Sequence, residues 1–148
     1  MLSIVLDSGP LALIVHQRTF PAAIECREWV DRHIAKGNEV LLPAIVVYEL
    51  RRELLRIGSV QSVQLLDELI GAAPQRYIVL TDDHLRLAAK LWADVRKSGK
   101  PTADPHALDI DVIVAAQAMS LGHNNYVVAT TNLAHLSRLV RAEEWRNI

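Results

Sequence analysis

The sequence predicts an α/β fold, a three-layer sandwich in which a mainly parallel sheet of four or five strands lies between helices. Two observations lead there. Short apolar runs rich in β-branched residues alternate along the chain with longer amphipathic stretches, the pattern of parallel strands joined by crossover helices. The chain is 51% hydrophobic and 22% charged over 148 residues, enough for one sizeable core, so a single domain over 1–148 is expected.

Taken in order, residues 3–6 form a short apolar strand that Asp7-Ser8-Gly9-Pro10 interrupts. Pro10 suits a first helical turn, and the helix continues over 11–16. Pro21 opens a second helix to about Ala35, with Ile24, Trp29, Val30, Arg32 and Ile34 giving an imperfect apolar stripe, and Lys36-Gly37-Asn38 closes it. A second strand covers 39–42, and Pro43 starts a helix to about Ile57 whose apolar face is Val46, Val47, Leu50, Leu54 and Ile57. Ser59 is placed to cap the next helix, to about Ile70. A third strand spans 77–80. Thr81 caps a helix with Asp82 and Asp83 in its first turn, running to about Lys97. Residues 98–106, with Gly99, Pro101 and Pro105, make the longest loop. A helix over 111–121 ends at Gly122, a strand follows over 126–130, and the tail adds a short final strand.

In open parallel sheets, sites form beyond the carboxyl ends of strands. Asp7 and Asn132 both fall there, and each has a plain alternative role as a helix cap. Glu49 lies at the edge of its helix's apolar face, where it serves equally as a solvated charge or as a site residue; Arg51, Arg52, Glu53 and Arg56 read as surface charges. Asp109 and Asp111 are two positions apart, a turn of roughly 200° on a helix, so they share no face if both are helical. Asp109 is assigned to the N-cap and Asp111 to the first turn, where the positive helix end favours its ionised form. Both could ligate if that stretch is extended.

Carboxylates gathered where chain segments turn call for a positive charge among them, and a hard divalent cation with oxygen ligands is the natural one. The six histidines show no helical metal-ligand pair, which argues against zinc, and His135 reads as a surface or capping residue. Cys26 stands alone, so neither a disulfide framework nor a multi-cysteine site exists, and it reads as a small buried hydrophobe. The formal net charge of −1 argues mildly against an unassisted nucleic-acid binder. No apolar run reaches the length of a membrane span. The apolar opening lacks the charged start of a secretory leader, so a cytoplasmic location is expected, with no membrane partner.

The order of these acids and their settings resembles PIN-domain ribonucleases, specifically the VapC-type toxins of bacterial toxin–antitoxin pairs. Four stretches carry the resemblance: Val5-Leu6-Asp7-Ser8-Gly9-Pro10-Leu11, the run from Leu42 through Tyr48-Glu49-Leu50 to Leu54, Asp111-Val112-Ile113-Val114-Ala115-Ala116-Gln117-Ala118, and Val128-Ala129-Thr130-Thr131-Asn132-Leu133-Ala134-His135-Leu136. Together they span almost the whole chain.

The resemblance implies a PIN-like fold. It implies Asp7, Glu49 and Asp111 as ligands of Mg²⁺ or Mn²⁺, and Thr130 as a hydroxyl that orients the first acid. Asn132 stands where many members carry a fourth acid and others Asn, which puts a second metal in doubt, with Asp109 as a substitute ligand. It implies an RNA substrate cut by a metal-activated water, a cognate antitoxin over the acidic groove, and a homodimer. Leu54, Leu55, Val60, Val63, Leu65 and Leu66 suit the dimer surface or, equally, core packing. Arg51, Arg52 and Arg138 are candidates to guide the RNA strand.

Three rival readings are weaker or bear on activity only. A haloacid dehalogenase-type phosphatase needs a second Asp two residues after the first, where this chain has Gly9. A receiver domain of two-component signalling needs an acidic pair near the first strand, which Asp7-Ser8 does not supply. The alternative from another class is a PIN-fold binding module with weak or no nuclease activity.

Overall fold

The computed structural model describes residues 1–16, 19–99 and 105–148, the side chain of Pro105 excepted. Five strands form one parallel sheet: β1 (Ser3–Leu6), β2 (Glu39–Pro43), β3 (Tyr77–Ile78), β4 (Tyr126–Thr130) and β5 (Ala142–Glu144), in the spatial order β3-β2-β1-β4-β5. Helices flank the sheet: α1 (Ser8–Ile14), α2 (Pro21–Ala35), α3 (Ala44–Arg56), α4 (Val60–Ala72), α5 (Asp82–Lys97), α6 (Pro105–Met119) and the single turn α7 (Leu133–Leu136). The expected three-layer sandwich is the observed one.

β1 lies at the centre, and all four of its residues are buried, as a strand covered on both faces requires. Ile4, Val5 and Leu6 pack with Val40, Leu41 and Leu42 of β2, with Val127, Val128 and Ala129 of β4, and with Leu11, Val46, Leu50, Val114 and Ala115 from the helices. Each full burial of a Val, Leu or Ile side chain stabilises the fold by ~1.5–3 kcal/mol. Cys26 is wholly buried in the same core and its thiol donates to the Pro10 carbonyl at 3.6 Å. Burial pushes that thiol up to about 12, so it is the inert small hydrophobe expected. Trp29 of α2 meets Trp145 edge to face, ring centres 5.6 Å apart, which ties the C-terminal turn to the core.

Most boundaries fall within a residue or two of those read from sequence. Thr81 caps α5 as expected, and it does so reciprocally: its Oγ1 accepts the His84 amide at 3.3 Å, while His84 Nδ1 accepts the Thr81 amide at 3.0 Å. Gly37 and Gly122 follow their helices with φ of +82° each, the left-handed conformation that ends a helix.

Four expectations need correction. Ile57 does not belong to the buried face of α3 and is 58% exposed, because the helix ends at Arg56 and the chain turns through Gly58. The Ser59 side chain makes no capping bond. β3 is two residues long rather than four, pairing only Tyr77 with Leu42 and Ile78 with Pro43. α6 begins at Pro105, six residues before Asp111, whereas 98–106 was read as loop; positions 100–104 of that loop lie outside the described residues. The reason is packing: Leu108, Val112 and Ala116, spaced four apart, form a stripe against Ala88 of α5. Of the apolar set offered for a dimer surface, Leu54 and Leu66 are buried, while Leu55 and Val60 stand exposed.

Gly9, in the first turn of α1, sits against the loop after β4. A Cβ at that position would lie 2.8 Å from Thr131 Cγ2 and 3.0 Å from Thr131 Cβ, closer than side chains tolerate. Gly9→Ala is therefore expected to destabilise the protein by ~1–3 kcal/mol, the usual cost of overpacking. Thr131→Gly in the same chain should recover much of that loss, as read by a double-mutant cycle in urea.

Candidate functional site

The parallel pairing of β1 with β4 matches Leu6 with Ala129, so the next residues, Asp7 and Thr130, leave the sheet side by side. The Asp7 amide donates to the Ala129 carbonyl at 2.9 Å. Thr130 Oγ1 donates to Asp7 Oδ2 at 2.7 Å and accepts the Asn132 amide at 2.9 Å. With its acceptor side taken by the amide, the hydroxyl proton points at the carboxylate. Asp7 occupies the N-cap position of α1 but makes no side-chain capping bond. The Ser8 amide and the Thr130 hydroxyl hold the carboxylate, and Asp7 is only 8% exposed. Burial raises its pKa, and the Thr130 hydroxyl draws it partly back.

Asp111 projects from α6 toward this acid. Its carboxyl is pushed up to about 6, first by burial, then by the negative charge of Asp7, with Glu49 adding to the effect and His135 and Arg138 opposing it. Asp7 and Glu49, from two distant segments, thus both lie within electrostatic reach of Asp111. The helix-end argument for Asp111 does not hold, since α6 begins well before it. Glu49 is half-buried on α3 and borders a groove with Ser8, Gly9, Ala12 and Arg52.

Asp109 is not an N-cap, and the structure does not bring it to this cluster. Both acids are helical, so Asp109 turns away and borders a separate groove with Leu85, Ala88 and Trp92. Asn132 stands at the N-cap position of α7, exposed, with no side-chain cap; its amide, not its side chain, completes the Thr130 contact. Of the three candidate guiding cations, Arg51 is paired with Asp67 at 2.6 Å, Arg52 lies over the Tyr48 ring, and Arg138 lies within the field of Asp111.

Among the described residues, no three His, Cys, Asp or Glu side chains are close enough to form a ready-made metal cage. Asp7, Glu49 and Asp111 offer oxygen donors; burial raises the pKa of Asp7, and burial with the charge of Asp7 raises that of Asp111. That chemistry fits a hard cation that keeps several of its own waters and takes only one or two carboxylates directly.

Two contributors differ from the sequence expectation: His135, expected at the surface or as a cap, and Gln117, for which no role is expected. His135 Nδ1 lies 3.8 Å from Asp111 Oδ2, so α7 supplies a base or cation beside the acids. Gln117 is completely buried; its Oε1 accepts the Ile45 amide at 3.2 Å and its Nε2 donates to the Ile78 carbonyl at 2.9 Å. Ile45 is in the first turn of α3, where no side-chain cap is present, so Gln117 satisfies an amide there and fixes the helix that carries Glu49. A Gln inside an otherwise apolar helical run was the available signal.

No family model and no curated protein matches the chain. Solved structures do. A chain in the structure of FitAcB from Neisseria gonorrhoeae superposes with a TM-score of 0.69 at 20% identity, covering 98% of this chain and 99% of that one. A chain of the DNA-bound VapBC from Salmonella typhimurium gives 0.65 at 19%, again over 98% and 99%. VapBC-1 from nontypeable Haemophilus influenzae gives 0.64 at 16% with the same coverage. This chain therefore shares the α/β fold of chains in these FitAcB and VapBC structures, consistent with the expected PIN-like sandwich.

The raised pKa of Asp111 carries a stability consequence. A carboxyl held above its unfolded value favours folding only while protonated. Its penalty is thus absent below about pH 4, grows as pH rises, and is fully present above about 6. Without metal, Asp111→Asn should be more stable than the parent by ~1–3 kcal/mol at pH 7.5, and the difference should vanish near pH 4, as measured by urea denaturation at both values. Gln117→Leu should have the opposite effect, costing ~1–3 kcal/mol because a buried amide and a half-buried carbonyl lose their partner. The same denaturation experiment reads it.

Proposed function

We propose that this chain is a Mg²⁺- or Mn²⁺-dependent endoribonuclease, the toxin of a toxin–antitoxin pair, and that it works as one PIN-like domain in the cytoplasm. The observation that carries the reading is the pairing of a buried Asp7, held by Thr130, with Asp111 across the carboxyl end of the central strand.

Asp7, Glu49 and Asp111 would hold the ion, directly or through water, with Thr130 and Asn132 as polar support. When bound, the ion would lower the pKa of a water for in-line attack on phosphorus and offset charge growing on the phosphate. The protein's own part is positional. Thr130 fixes which Asp7 oxygen faces the site, since Oδ2 is taken by its hydroxyl. Gln117 holds α3, and so Glu49, against α6, which carries Asp111. Arg138 places positive charge, and His135 an imidazole, beside an otherwise anionic cluster, where a phosphate must approach.

Solved VapBC structures with this fold support a cognate antitoxin as partner, and a homodimer is proposed with it. A second reading, a PIN-fold module that binds a partner without cutting RNA, draws on the absence of a ready-made cage among the described residues and on the exposed Asn132.

Purified protein is expected to cleave single-stranded and structured RNA only with Mg²⁺ or Mn²⁺, and to stop on addition of EDTA. Asp7→Asn and Asp111→Asn should each lower the rate at least ~100-fold, a loss of about 3 kcal/mol in barrier stabilisation, with circular dichroism unchanged. RNA cleavage that persists in EDTA, or at full rate in Asp111→Asn, would remove the proposal. Metal binding by calorimetry without any cleavage would favour the binding module.

A further inference from the structure

Beside the acidic cluster, an open groove of about 430 Å³ runs between α5, α6 and the segment that follows α7. Its floor is apolar: Leu91 and Val95 from α5, Leu108 from α6, and Leu139. We infer that this groove is a subsite for one unstacked base of single-stranded RNA, and that it prefers a base bearing an exocyclic amino group over uracil. The inference rests on the ribonuclease reading and names the feature of the substrate that the site would read.

Three observations support it. The groove is continuous with the cluster, because His135 both lines it and lies 3.8 Å from Asp111 Oδ2. A strand whose phosphate is held at the acids therefore has a neighbouring base within reach of the groove. The boundary between the two is made by an imidazole and, at Arg138, a guanidinium. These are planar groups on which unpaired bases stack, and both carry or can carry charge that attracts the phosphate between sites. The aliphatic floor accepts a base's ring face while excluding its polar edges.

Those edges meet the groove's other polar groups, Asp94 and Ser98 of the α5 end. An ionised Asp94 accepts hydrogen bonds and donates none. It pairs with the amino groups of cytosine, adenine or guanine. Uracil places two carbonyl oxygens around its one N–H, and these oppose a carboxylate. A protein partner could fill the same floor with an aliphatic side chain, but it would not discriminate among bases.

The test uses the full chain with Mg²⁺ and a pool of random single-stranded RNA, sequencing the cut ends. One position flanking the cut should be depleted of uracil by about tenfold, the scale of one good carboxylate–base pairing. Asp94→Asn, an exposed substitution with an amide that both donates and accepts, should erase most of that depletion at this position alone, with the base profile at the other flanking positions as in the parent. Val95→Phe, which fills the floor, should flatten the preference at the same position. Identical base profiles in the parent and both variants would overturn the subsite. A parent that binds Mg²⁺ by calorimetry yet cuts no RNA would overturn the ribonuclease reading and the subsite with it.

Discussion

The hydrogen bond from Thr130 to Asp7 joins the carboxyl ends of two neighbouring parallel strands, and its geometry is set by sheet register rather than by any loop. Leu6 opposite Ala129 puts the two side chains next to each other one residue later. The same hydroxyl accepts the Asn132 amide, so the chain leaving β4 is steered into α7, and α7 brings His135 to Asp111. Slipping β1 against β4 by one residue would reverse which face each side chain takes and dissolve all of these contacts together.

α6 plays a comparable part on the other side. One helix carries Leu108, Val112 and Ala116 toward α5, Asp111 toward Asp7, and Gln117 toward α3 and β3. Because these side chains are fixed on one rigid rod, packing against α5 and the presentation of Asp111 are not independent. Two polar side chains of this helix face inward: Gln117 is hydrogen-bonded at both its oxygen and its nitrogen, whereas Asp111 is held near other acids.

The strand and helix alternation and the caps at Thr81, Gly37 and Gly122 could be read from residue patterns, because each leaves a local trace. What escaped reading depends on distance along the chain. Gln117 meets Ile45 across 72 positions, and His135 meets Asp111 only because β4 delivers α7 there. The early start of α6 was written in the four-residue spacing of Leu108, Val112 and Ala116, yet Gly99, Pro101 and Pro105 nearby gave a stronger loop signal. Asp109 was misplaced as a cap by the same error, and a longer α6 turns it away from Asp111.

β1 is flanked on both edges and covered on both faces, and Asp7 is the first residue beyond it. Its amides can meet solvent only when the middle of the sheet comes apart, an event that takes the whole fold with it. The anchor acid thus has no partly open state of its own, unlike a group carried on a hinged lid. Any control over it must act by covering the finished surface, since the sheet beneath offers no intermediate degree of order to adjust.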